Sequence, residues 1–110
     1  MKAQFFDSPA ELREWFEAHH ETADELWVGI YKKSSGEKGV TLGDALDQAL
    51  CFGWIDSKGR RIDDARYTVR FTRRRKGSNW SQRNIARVKQ LRDQGLMHEA
   101  GLRAFESRSE

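Results

Sequence analysis

Residues 53–73 read GWIDSKGRRIDDARYTVRFTR, and the fold class turns on their spacing. In the last eight, Tyr67, Val69 and Phe71 alternate with Arg66, Thr68, Arg70 and Thr72. A period of two sends the first set to the core face of a strand and the second to the opposite face. Upstream, WIDS and RRID are short extended pieces, and the Lys58-Gly59 pair between them reads as a hairpin turn or tight bend. Just before Gly53 the period is helical. Leu42, Ala45, Leu46, Ala49, Leu50 and Phe52 form a broad apolar face, with Thr41 and Asp44 at its start. Gly53 is a natural stop, because glycine takes the left-handed conformation at little cost.

Working outward, LWVGIYKK (Leu26 to Lys33) reads as another strand. Leu26, Val28 and Ile30 share one face, while Trp27, Gly29 and Tyr31 share the other. Ser8, Pro9 and Glu11 make a helix start with a capping box. Leu12, Trp15, Phe16 and His19 then form an apolar stripe, with His19 at its edge and His20 in solvent. Adjacent histidines point about 100° apart on a helix, so they do not share a metal ion. Toward the C-terminus, RKGSN is a turn and a helix begins near Trp80 or Ser81. Its core side holds Ile85, Val88 and Leu91, and Gly95 ends it. A short final helix carries Leu102 and Phe105 before a frayed SRSE. Together these predict a single α+β domain over residues 1–110, with a small antiparallel sheet of about three to four strands packed with about three to four helices.

Composition excludes several classes. A 110-residue chain with 37% hydrophobic residues and four tryptophans is a folded domain, although 34% of it is charged. One cysteine, Cys51, gives no internal disulfide and no zinc framework. It falls on an apolar helix face, the setting of an inert core thiol. The longest apolar run, ALCFGWI, is too short to span a bilayer, and no charged-then-apolar leader opens the chain. A reducing, cytoplasmic location is the expectation.

The net charge of +3 hides a division: residues 1–57 carry −6, residues 58–92 carry +11, and the last 18 carry −2. Such a split marks an anionic partner, or an acidic half that folds against a basic one. The basic stretch RFTRRRKGSNWSQRN, Arg70 to Asn84, sets arginines beside Trp80 near a helix start, where arginine forks and backbone donors favour oxyanions. Trp54 and Asp56 share a strand face nearby, with Asp56 expected to pair with Arg70 or Arg74. The candidate ligand-binding set is therefore Trp54, Asp56, Arg70, Arg74, Trp80 and Asn84. Its partner is an anionic small molecule or an acidic protein surface. In the alternative, Arg73, Arg74, Arg75, Lys76, Arg83 and Arg87 grip nucleic acid electrostatically, with steep salt dependence. No phosphate loop, metal motif, cofactor signature or acid–base pair is present. The oligomeric state is open.

Five pieces of the chain resemble the YdeI/OmpD-associated family: LWVGIYKKSSG (Leu26–Gly36), ALCFGWID (Ala49–Asp56), RFTRRR (Arg70–Arg75), SNWSQRN (Ser78–Asn84) and LRDQGLMHEAG (Leu91–Gly101). The resemblance covers most of the chain. It implies a small α+β domain, brings no catalytic residues, and carries a label of bacteriocin protection. Two positions depart from the family pattern. Arg73 stands where proline is expected, restoring a backbone donor. His98-Glu99 stands where a Thr-Pro pair is common, and so predicts a weaker start to the final helix.

Overall fold

Capping chemistry fixes where the helices begin. The computed structural model describes residues 2–108. Helix α1, Pro9–His19, starts with the Glu11 N–H donating to the Ser8 hydroxyl at 3.3 Å. The Glu11 carboxylate accepts from the Asp7 N–H at 2.7 Å, one residue before the cap, so the predicted box is shifted outward. At α2, Leu42–Cys51, the box is complete: the Asp44 N–H donates to the Thr41 hydroxyl at 3.0 Å, and the Thr41 N–H donates to the Asp44 carboxylate at 3.1 Å. Ser81 caps α3, Gln82–Asp93, accepting from the Asn84 N–H at 3.1 Å. The last helix, α4 (Glu99–Glu106), starts on an imidazole, because Nδ1 of His98 accepts from the Ala100 N–H at 3.0 Å. The predicted weak start is thus repaired by the residue that replaces the usual threonine.

Four strands, β1 (Ala3–Gln4), β2 (Leu26–Tyr31), β3 (Trp54–Arg61) and β4 (Arg66–Arg73), form one sheet in the order β1-β2-β4-β3. With the four helices this is a small α+β fold, as the residue patterns predict. Two details differ. The sheet is mixed, since β1 runs parallel to β2; a two-residue strand carries no period to read. And Lys58-Gly59 is no turn: β3 runs through it, with a register slip between Asp56 and Gly59. The reversal comes later, where the Asp63 carboxylate accepts from the Ala65 and Arg66 N–H groups, each at 2.9 Å. An aspartate bonding its own downstream backbone mimics a turn.

Leu26, Val28, Ile30, Val69 and Phe71 form the sheet's side of one core, against Leu12, Phe16, Leu50, Val88 and Leu91 from the helices. On the opposite sheet face Trp27 is only 7% exposed. Lys58 and Arg60 lie over its ring at 6.0 and 5.8 Å. Its N–H donates to Glu25 at 3.2 Å. Gly29 leaves room beside it for the Phe5 ring, which a Cβ there would meet at 2.5 Å. The histidines reverse the sequence expectation: His19 is exposed and His20 is buried. His20 sits past the last turn of α1, where its Nδ1 lies 2.7 Å from the Phe16 carbonyl. Its ring packs against Phe52 and His98. Among the described residues no helix is long and apolar enough to cross a membrane.

Candidate anion-binding site

The helix-to-strand turn after α2 positions Arg74. Gly53 adopts φ 77°, and its carbonyl accepts from the Arg74 N–H at 2.9 Å. That bond ties the residue just past β4 to the start of β3. From there the Arg74 side chain reaches Trp80, its guanidinium carbon 3.8 Å from the ring centroid. It also lines a cavity of about 20 Å³ with Trp54, Asp56 and Asn84, closed by apolar groups of α2. A space of that size admits roughly one water-sized group.

The cavity wall holds one cation, Arg74, and one carboxylate, Asp56. Among the described residues, Nε and Nη1 of Arg74 are buried without an acceptor, and so are the indole nitrogens of Trp54, in the cavity wall, and of Trp80, outside it. The buried Ser78 hydroxyl also lacks a partner. Indole and guanidinium nitrogens only donate, so these four nitrogens are donors without a matched acceptor. Burial pushes the Arg74 guanidinium down from its ordinary pKa, and the charge of Asp56 opposes that shift more weakly. Arginine nonetheless keeps its proton.

Of the six residues picked out by sequence, five come together. Trp54, Asp56, Arg74 and Asn84 line the cavity, and Trp80 packs on Arg74. Arg70 does not join them. Strand alternation sends it to the other sheet face, where its Nε donates to Glu25 at 2.6 Å. That hydrogen bond holds the Glu25 carboxyl below its ordinary value. Arg74 escapes the alternation because β4 ends at Arg73. Asp56 is exposed and, among the described residues, forms the expected ion pair with neither arginine.

The second basic set is dispersed. Arg73 donates to the carbonyls of His20 and Ala23 and lies 3.6 Å from Asp24. Arg87 grips Asp47 with two bonds of 2.8 and 2.6 Å. Arg75, Lys76 and Arg83 are exposed. Glu25, Asp24 and Asp47 therefore each hold an arginine, so the acidic first half folds in part against the basic stretch. Cys51 is fully buried, and desolvation raises its thiol pKa. Among the described residues no group of three or more His, Cys, Asp or Glu is placed to hold a metal ion.

Sequence reasoning missed two residues that border Arg74. His20 and Arg103 line a hollow on its outer side, with Arg73 and Ala104. Arg103 lies four residues after Glu99, a spacing that reads as a helix-surface pair, and that pair is present at 3.7 Å. Only the docking of α4 brings it toward β4. Its approach is close: Gly101 faces the Cys51 carbonyl with no room for a side chain, and the His98 N–H donates to that same carbonyl at 3.0 Å.

No curated protein and no solved structure matches the chain. Residues 4–104 match the model of one family, nearly the full span of sheet and helices just described. The chain belongs to that family, the domain of unknown function DUF8412.

Proposed function

We propose that this protein is a small anion-binding domain, with Arg74 as the ligand that contacts the oxyanion. One observation carries the reading: among the described residues, two buried nitrogens of Arg74 lack an acceptor, as do the indole N–H of Trp80, over whose ring the guanidinium lies, and that of Trp54. One oxygen of an oxyanion would accept from Arg74 and Trp54 in the cavity, while Trp80 holds the guanidinium plane and Asn84 borders the cavity. Asp56 at the rim disfavours a second negative group on its own side. Arg70, neutralised by Glu25, supports the outer sheet face rather than the ligand. Nucleic-acid binding is less well supported, because Arg73 and Arg87 are held by carbonyls and carboxylates.

Phosphate titrated against tryptophan fluorescence tests the reading. Binding that Arg74→Met abolishes, with cooperative unfolding retained, is the expected result. A hydrogen bond to a charged group is worth about 1.5–3 kcal/mol, so the loss is at least about tenfold. A folded Arg74→Met protein that binds phosphate as the parent does removes the proposal. Should that variant not fold, Arg74→Lys keeps the charge without the fork and is expected to bind more weakly.

The YdeI/OmpD-associated resemblance, a cytoplasmic setting and a part in antimicrobial-peptide protection belong to the same proposal. A host expressing the chain is expected to survive peptide challenge better than one expressing Arg74→Met; equal survival separates that role from the anion site.

A further inference from the structure

Two hollows meet on the outer side of Arg74. The larger, about 400 Å³, is lined by His20, Arg73, Arg74 and Arg103 against one acid, Glu21. The second, about 270 Å³, is lined by Arg74, Arg75, Lys76 and Arg103, with no acid among the described residues. Arg74, Arg103 and Ala104 border both, so the hollows form one groove. Its two walls have simple origins. On one side lie residues 73–76, which leave the end of β4 and cover roughly 10 Å at the ordinary Cα spacing. On the other lie Ala100, Arg103, Ala104 and Ser107, which recur at i, i+3, i+4 and i+7 along one face of α4. Small side chains there let a ligand approach the backbone closely.

The cations differ in how firmly they are engaged. Among the described residues Arg103 pairs with Glu99 alone, by an exposed contact of 3.7 Å, the kind of surface pair that contributes little. Arg75 and Lys76 are exposed and make no ion pair among the described residues. Arg74 borders both hollows and makes no ion pair among the described residues. A single phosphate at Arg74 would leave Arg103, Arg75 and Lys76 unused. Single-stranded nucleic acid is usually held by stacking of bases on exposed rings as well as by charge. The groove offers none: Trp80 is only 8% exposed, and Phe52, the one aromatic ring besides His20 bordering the larger hollow, is only 2% exposed. A more voluminous hollow, about 690 Å³ near Tyr31 and Val40, mixes Lys32, Lys33 and Lys38 with Asp7 and Glu37. None of the buried unpartnered atoms belongs to its lining.

Resting on the reading of Arg74 as an oxyanion ligand, we infer that the groove between α4 and residues 73–76 binds a linear chain of phosphate groups. One terminal phosphate sits against Arg74. The following groups run along Arg103 toward Arg75 and Lys76, with the walls of Ala100 and Ala104 holding the chain extended. The ligand class is an oligophosphate, free or as the tail of a small molecule.

Calorimetric titration of the full chain with inorganic triphosphate, orthophosphate, citrate and a single-stranded oligonucleotide decides it. Triphosphate is expected to bind at least about tenfold more tightly than orthophosphate, since it engages several further charge-assisted bonds. Arg103→Gln, on an exposed helix position, is expected to bring triphosphate down to the level of orthophosphate, and Arg74→Gln to remove both. Equal affinity for triphosphate and orthophosphate overturns the groove while leaving the Arg74 site standing. Citrate binding as tightly as triphosphate overturns it too, because the site then counts charge rather than reading a phosphate chain. An oligonucleotide binding more tightly than triphosphate overturns it in favour of nucleic acid. If no anion binds, the groove and the Arg74 reading fall together.

Discussion

Trp80 meets Phe105 of α4 edge-on, with ring centroids 5.4 Å apart, and the Arg74 guanidinium lies over the same indole. The position of the candidate ligand therefore depends on a ring that α4 supports. Replacing Phe105 with alanine is expected to cost about 3 kcal/mol, at the low end for a buried phenylalanine. It should also weaken phosphate binding, as Trp80 gains freedom. Urea unfolding and a phosphate titration on the same variant check both parts; lost stability with unchanged affinity breaks the link between them.

Two glycines are expected to respond differently to the same methyl group. At Gly101 a Cβ would collide with the Cys51 carbonyl and lie 2.8 Å from the Leu50 carbonyl, both backbone atoms of α2. Gly101→Ala must push α4 away and should cost about 1–3 kcal/mol. At Gly29 the obstacle is the Phe5 side chain, which can rotate aside. Gly29→Ala should cost less, and denaturation midpoints for the pair that rank the other way contradict this account.

His98 ties stability to pH. Burial, and then the neighbouring His20, lowers its pKa from the ordinary 6.5, with Arg13 and Arg103 adding to the shift and Glu99 opposing it. The folded state thus binds fewer protons than the unfolded one in the window just below 6.5. Its contribution is fully present above that value and is lost as pH falls through the folded pKa. Protonation at Nδ1 also removes the acceptor that caps α4. His98→Asn keeps a capping oxygen but does not titrate. Thermal midpoints between pH 7 and 5 should fall less steeply for that variant, after allowance for His20, which faces the same ring.

Arg87 and Asp47 separate the two readings of the basic stretch. Their side chains are 39% and 29% exposed, so Arg87→Ala should cost no more than about 1 kcal/mol. It should leave phosphate and triphosphate affinity unchanged, since Arg87 borders neither the inner cavity nor the groove. A clear loss of oligonucleotide affinity in this variant would instead favour the dispersed basic set.

Most of the fold is legible because its signals are local. Ser8, Thr41, Ser81 and Gly95 announce helix ends through their own chemistry, and the alternation from Tyr67 to Phe71 assigns faces without reference to anything distant. What was not legible depended on distant partners. Thr68 reads as an outward residue, yet it is fully buried, with its hydroxyl donating to the Val28 carbonyl at 2.9 Å. Lys58-Gly59 resembles a turn until β4 pairs alongside and absorbs it as a bulge. Arg70 and Arg74 look equivalent in one dimension. Four residues is an even number of strand steps, but the strand stops between them, and only one faces the cavity. Arg103 had no local signal, because its role depends on where α4 docks.

The strand order also bears on how the chain finds its shape. β3 and β4 are neighbours joined by the short Asp63 turn, whereas β2 reaches β4 only across the whole of α2 and β3, pairing Val28 with Val69. Closing that long loop costs entropy before its contacts repay it. The hairpin should gain amide protection first and β2 should join later, so the outer cover of Trp27 by Arg60 and Glu25 is among the last features to assemble.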